Sequence, residues 1–247
     1  MVPAFDEARL IADTVRSIPG YVDDVVVVDD GSTDATSERA RAVGDGRVRV
    51  IRHEENRGVG AALVSGYAAA FAAGADAVAV MAGDGQMDPR DLPALLSPVL
   101  SGQADYAKGD RLADPELRAR MPLLRRLGNR GLSLLTRWCL GASLSDSQCG
   151  YTVLSRRAHE RARLEALWPG YGYPNDMLGR VLSAGLRVVD IPVRAIYGTE
   201  VSGVGLRHAL FVVPFVILRA ALRGARARRT ALSANATLRS VAGEGGE

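Results

Sequence analysis

Apolar and polar positions in this chain switch between two periods, and the switches mark its elements. Val25 to Val28 is a run of four valines, too apolar for a half-exposed strand and too short for a helix, so it predicts a strand buried on both faces. Val48 to Arg52, Ala77 to Met81, Tyr151 to Leu154 and Leu186 to Val193 predict further strands, and Met1-Val2-Pro3 reads as the tail of a first strand that begins upstream. Between them, helical signals predict helices over Glu7 to Ser17, Ala35 to Val43, Ala61 to Ala73, Asp91 to Leu100, Leu123 to Leu140 and Asn175 to Ser183. Ser32 to Asp34 can cap the second of these, and Asp88 ahead of Pro89 can cap the fourth. The alternation predicts an α/β fold with a mostly parallel central sheet and helices on both faces.

Two segments carry apolar residues beside arginines. In Leu123 to Leu140, Leu124, Leu127, Leu132, Leu135 and Trp138 recur near helical spacing among Arg125, Arg126, Arg130 and Arg137, which predicts an amphipathic helix with a basic flank. Ala209 to Leu218 is an unbroken apolar run between Arg207-His208 and the arginines at 219, 223, 226, 228 and 229. As a helix it covers about 15 Å, roughly half a bilayer core. It therefore reads as an interfacial helix anchored by arginines, kinked at Pro214, rather than as a span or a helix packed on the domain. The expected organisation is a catalytic domain over 1–204, this basic helix over 205–229 and a disordered tail over 230–247.

Charge sharpens that picture. The formal net charge is +3, but residues 219–247 hold six arginines and two glutamates, which leaves residues 1–218 at −1. The basicity belongs to the tail, and its apolar neighbour favours an anionic membrane surface over nucleic acid. Cys139 and Cys149 are too few for a disulfide framework, and no export signal is visible at the amino terminus. The expected location is cytoplasmic, peripheral on the inner face of the plasma membrane. Nothing in the sequence fixes an oligomeric state.

Two predicted strands deliver carboxylates to their carboxyl ends, where open α/β sheets bind ligands. One ends in Asp29-Asp30-Gly31-Ser32, the other in Ala82-Gly83-Asp84-Gly85-Gln86-Met87-Asp88. Paired acidic strand ends point to a nucleotide diphosphate held with a divalent metal. Mg²⁺ or Mn²⁺ takes oxygen ligands and keeps sites for substrate phosphates, so Asp84 and Gln86 could suffice; the competing reading is a polar turn that caps the next helix. Asp30 could accept from a base N–H or a ribose hydroxyl, with Gly31 allowing close approach, or merely cap its turn. Lys108, a single lysine among thirty arginines, reads either as a phosphate contact or as a solvated loop residue. Gly58-Val59-Gly60 lacks the preceding strand of a dinucleotide fingerprint, and His53, His159 and His208 show no metal or triad spacing.

These motifs, in this order, resemble the inverting family-2 glycosyltransferases with a GT-A fold, closest to the polyprenyl- and dolichol-phosphate sugar transferases. Val2 to Glu7 is similar to the opening V-P-x-Y-N-E, and Val28 to Ser32 matches VDDGS. Asn56 to Gly60 matches N-x-G-x-G, and Gly83 to Gln86 lies where D-x-D-x-Q belongs, with Ala82 in place of its first aspartate. Lys108 to Arg111 resembles the G-[SN]-R segment, and Asp146 to Tyr151 resembles D-x-x-S-G-[FY]. Tyr197 to Gly203 is similar to Y-G-x-S-K but without the lysine. The resemblance implies nucleotide-sugar contacts from Pro3, Ala4, Phe5, Glu7, Asp30, Gly31, Ser32, Gly60, Gly83, Asp84 and Lys108. It implies metal ligation by Asp84 and Gln86, and catalytic roles for Asp84, Arg111 and Asp146. The implied reaction is transfer of a hexose from UDP- or GDP-hexose to a membrane polyprenyl phosphate, with inversion. The alternatives are transfer to a hydroxyl acceptor, with Asp146 as base, and a non-catalytic nucleotide-sugar binder.

Overall fold

The computed structural model describes residues 1–115, 121, 123–194, 196 and 211–226. Among them are strands β1 Val2–Ala4, β2 Val25–Asp29, β3 Val48–Arg52, β4 Ala77–Val80, β5 Tyr106–Asp110, β6 Thr152–Ser155 and β7 Val188–Pro192. The helices are α1 Ile11–Ser17, α2 Thr36–Arg41, α3 Val59–Ala72, α4 Leu92–Leu100, α5 Leu123–Leu140, α6 Arg156–Arg161, α7 Tyr173–Ser183 and α8 over 211–226. One parallel group runs β1-β2-β3 and a second runs β4-β6-β5-β7, where β5 and β7 are parallel and β6 is antiparallel to both neighbours. Backbone bonds join the groups along β1 and β4: Met1 N to Ala79 O at 2.5 Å, Met81 N to Met1 O at 3.0 Å and Gly83 N to Pro3 O at 3.0 Å. Pro3 has no N–H to return a bond, so the ladder is thin at this seam.

The valine run is unbroken because both faces of β2 are covered. Val25 and Val27 pack with Ile11, Val15, Leu92 and Leu95, while Val26 and Val28 point the other way into Leu63, Tyr67 and Phe71. Burying each such valine contributes about 1.5–3 kcal/mol, which fixes the strand and hence the place of the aspartates that follow it.

Besides the short helix α6, which the sequence reading lacks, three elements differ from that reading. Helix α1 starts at Ile11, not Glu7, because the amides of Glu7 and Ala8 are held by Thr36 Oγ1 (2.8 Å) and Asp34 Oδ2 (3.0 Å). Strand β5, Tyr-Ala-Lys-Gly-Asp, is too polar to show a strand period, yet it pairs with β6 on one side and β7 on the other. This places Lys108 inside the sheet and excludes the loop reading.

The third difference is α8. It buries Val213, Val216, Ile217 and Ala220, and a Cβ on Gly179 of α7 would lie 2.5 Å from that of Ala220. Arg223 completes the contact at 2.9 Å from Asp176 Oδ1. The helix is thus packed on the domain along one face, while Phe211, Phe215, Leu218 and Leu222 are exposed on the other. Pro214 stands in the first turn described. Residues 197–210 and 227–247, with the Tyr197 to Gly203 motif and the tail expected to be disordered, lie outside the described residues. No helix among the described residues is long and apolar enough to cross a membrane.

Candidate active site

The loops after β1, β2, β4 and β5 gather at the carboxyl ends of the strands. The first, Phe5 to Ala8, is stitched to the Gly-Ser-Thr-Asp turn after β2. Asp6 N donates to Ser32 Oγ at 2.9 Å, and Thr33 N donates back to Asp6 Oδ1 at 2.7 Å. Asp6 holds φ 54°, a strained left-handed setting that aspartate tolerates better than most residues, and these bonds keep it there. Pro3 and Ala4 are spent in the sheet, their carbonyls accepting from Gly83 N (3.0 Å) and Asp30 N (2.9 Å), whereas Phe5 is exposed.

The two aspartates after the valines are buried and each accepts three hydrogen bonds. Asp29 accepts from Ser32 N at 2.8 Å, Arg52 at 2.9 Å and the Ser37 hydroxyl. Burial alone would push its carboxyl up, but the Ser32 and Ser37 bonds and the Arg52 charge together hold it below the ordinary value. Asp30 accepts from His53 Nδ1 (2.6 Å), Arg57 N (3.1 Å) and Gly58 N (2.7 Å), so it anchors the Asn56 to Gly60 loop. Gly31 and Gly60 serve close packing of protein on protein. A Cβ on Gly31 would lie 2.4 Å from the Glu55 carbonyl carbon, and one on Gly60 would lie 1.9 Å from Trp168 O.

Past β4, Gly85 at φ 70° turns the chain so that Gln86 donates to Asp84 twice, from N and from Nε2, both at 3.0 Å. The carboxylate and the remaining amide oxygen of Gln86 are hard donors of the kind Mg²⁺ and Mn²⁺ take. Among the described residues, no group of three His, Cys, Asp or Glu is arranged to hold a metal. The donor set therefore fits a cation completed by substrate phosphates, not a self-contained cage. Glu7 faces the same region: burial, then the charges of Asp84, Asp34 and Asp6, push its carboxyl up to about 7.

Opposite stands Arg111 on Asp146. Arg111 Nε and a terminal nitrogen reach the two Asp146 oxygens at 2.7 and 3.0 Å, and Gln148 N adds a bond at 3.1 Å. Asp146 is fully buried, which would raise its carboxyl, but Arg111 and then Lys108 hold it below the ordinary range. Lys108 is itself fully buried, 2.9 Å from Asp190 and 2.5 Å from the Asp146 carbonyl. From within the sheet it donates to the Asp146 carbonyl and so supports that loop. Tyr173, unmarked in the sequence reading, is buried nearby: burial, then Tyr67 and Cys149, raise its phenol, Arg111 opposes the rise and Asp84 adds to it. Its hydroxyl occupies the space that a Cβ on Gly150 would need, at 2.6 Å.

Sequence reasoning also missed His53, whose isolation in the chain hides a buried contact, and Asp176. Asp176 binds Arg180 at 2.8 Å as well as Arg223 and so joins α7 to α8. The i,i+4 spacing of Asp176 and Arg180 was the available signal. A cavity of about 450 Å³ lies at the amino ends of β2 and β4, between Val22 to Val26 and Ala73 to Ala79. It is at the wrong end of the sheet for this chemistry.

Among known proteins, the chain is 30% identical over 237 residues to the undecaprenyl-phosphate mannosyltransferase of Micrococcus luteus, covering 92% of this chain and 97% of that protein. It is 29% identical over 217 residues to the UDP-N-acetylglucosamine–dolichyl-phosphate N-acetylglucosaminyltransferase of Methanococcus voltae, covering 82% and 86%. The fold is shared with glucosyl-3-phosphoglycerate synthase of Mycobacterium tuberculosis, solved with Mn²⁺, UDP-glucose and phosphoglyceric acid; the TM-score is 0.62 at 24% identity, covering 89% of this chain and 78% of that one. Residues 1–163 match the sequence profile of glycosyl transferase family 2. With that match over residues 1–163 and a sheet of the GT-A fold, the chain belongs to glycosyl transferase family 2 and is a glycosyltransferase.

Proposed function

We propose that this enzyme transfers a hexose from a nucleotide diphosphate sugar to a polyprenyl phosphate at a membrane surface, inverting the anomeric carbon. The observation that carries the acceptor is the state of Asp146. Buried, gripped at both oxygens by Arg111 and held below its ordinary pKa, it is a poor proton acceptor. A hydroxyl acceptor needs a base of higher pKa, whereas an acceptor phosphate is already anionic near neutral pH. Two similar proteins named above carry polyprenyl phosphates in their names.

In this reading an acceptor phosphate oxygen attacks the anomeric carbon from the face opposite the leaving group, and the bond to the nucleotide diphosphate breaks. Asp84 and Gln86 would hold Mg²⁺ or Mn²⁺, which neutralises diphosphate charge when bound. Arg111, set by Asp146, stabilises the negative charge that grows on the leaving diphosphate, and Asp146 acts as its strut. The Asp30-anchored loop and the Phe5 to Ala8 turn form the nucleotide side.

The acceptor's lipid would lie against α5 and α8, which flank α7. Helix α5 exposes Leu123, Leu127, Leu134 and Trp138, and α8 exposes its own apolar stripe. Arg126, Arg130, Arg137, Arg219 and Arg226 on these helices suit anionic headgroups. The test is incubation with radiolabelled UDP- or GDP-hexoses and polyprenyl phosphate in detergent. An organic-extractable product that disappears with EDTA supports the reading, and donor binding without lipid product rejects it.

A further inference from the structure

His53 carries chemistry that the reaction above does not use. It stands one residue past β3, where its N–H continues the ladder to Asp29 O at 2.9 Å, and its side chain is 7% exposed. Nδ1 lies 2.6 Å from Asp30 Oδ1, and Nε2 lies 2.9 Å from Ser65 Oγ on α3. Asp30, 3% exposed, takes its other bonds from the backbone N–H groups of Arg57 (3.1 Å) and Gly58 (2.7 Å). The loop they belong to is pinned at its far end by Gly60 N on Pro169 O at 2.6 Å.

A buried carboxylate must collect donors, and a histidine ring shared between a carboxylate and a hydroxyl presents its Nδ1–H to the carboxylate. Ser65 therefore sets the ring, the ring sets Asp30, and Asp30 sets two amides of the loop. The arrangement has the order of a serine–histidine–aspartate relay, but its burial makes it a clamp and not a nucleophile. We propose that His53 is a positioning residue for the nucleotide sugar, holding the Arg57–Gly58 backbone in place through Asp30. This rests on the donor site proposed above.

The test compares wild type with His53→Ala, His53→Asn and Ser65→Ala in the full chain. Three quantities are read: amide hydrogen exchange at Arg57 and Gly58, affinity for UDP and GDP by calorimetry, and kcat and KM for the donor. His53→Ala should speed exchange at those two amides while β2 and α3 stay protected. It should raise nucleotide Kd and donor KM roughly tenfold, the size expected for losing one hydrogen bond to a charged group, with kcat little changed. Asparagine, whose amide N–H can take the place of Nδ1–H, should restore most of both. Ser65→Ala removes only the ring's distal partner and should shift both in the same direction by less. Unchanged exchange in His53→Ala and Ser65→Ala, or faster exchange with unchanged nucleotide affinity, would overturn the proposal alone. A wild type that binds neither nucleotide would remove the donor reading, and the proposal with it.

Discussion

Replacing Asp146 with asparagine removes the charge that holds Arg111 but keeps the side chain's shape. If Asp146 is a strut, kcat should fall by roughly a hundredfold at every pH, the loss typical of one misplaced charge-stabilising donor, and the acid limb of the pH–rate profile should persist. Disappearance of that limb would mean that Asp146 is a base. Glu7 offers a test of the acidic side. Its folded pKa, about 7, lies above the ordinary 4.5, so folding favours the protonated form. The stability it contributes is full at low pH and is lost as pH rises from 4.5 through about 7. Glu7→Gln stays neutral, so it should melt higher than wild type at pH near 8 and no higher near pH 4. Because Glu7 is half-exposed the gain is about 1 kcal/mol or less, roughly 2–4 °C. Equal shifts at both pH values would contradict the raised pKa of Glu7.

Among the elements, β5 stakes most on one contact. Lys108→Met takes the cation from the partly buried Asp190, which keeps its bond from Ser145 N, and should destabilise the fold by about 1–3 kcal/mol, while Lys108→Met with Asp190→Leu should recover much of the loss. Denaturant midpoints would show it, and a silent Lys108→Met would mean that the pair carries no weight. The same strand shows where sequence reading stops. Valine runs and capped helices are local signals, so β2, β3, β4, α3 and α4 could be read directly. The strand period of β5 is masked by Lys108, Gly109 and Asp110, and its partners come from β6 and β7 much later in the chain. The site divides the same way. Asp84 and Gln86 stand two residues apart and were legible. That Asp29 and Asp30 are consumed by Ser37, Arg52, His53 and Gly58, and that Lys108 props Asp146, depends on which segments meet in space.

Over the whole molecule, the loops after β1, β2, β4 and β5 sit at the carboxyl ends of the strands, and α7 carries both Tyr173 near them and the docking face for α8. On the exposed stripe of α8, Phe215 meets Trp168 edge to face with ring centroids 6.1 Å apart, while Phe211, Leu218 and Leu222 are exposed. Serine at Phe211, Leu218 and Leu222 together should leave the melting temperature near wild type but abolish flotation with anionic vesicles, and rising salt should weaken wild-type flotation. Flotation that ignores both would separate α8 from the membrane. In the proposed reaction the acceptor brings its own negative charge, because Asp146 is held by Arg111 at both oxygens and serves as no base. The most direct test is transfer from one nucleotide sugar to polyprenyl phosphate and, side by side, to the matching polyprenol. Product from the phosphate at least roughly a hundredfold faster than from the alcohol is predicted, since only the alcohol needs a base. Comparable rates with the two acceptors would contradict it.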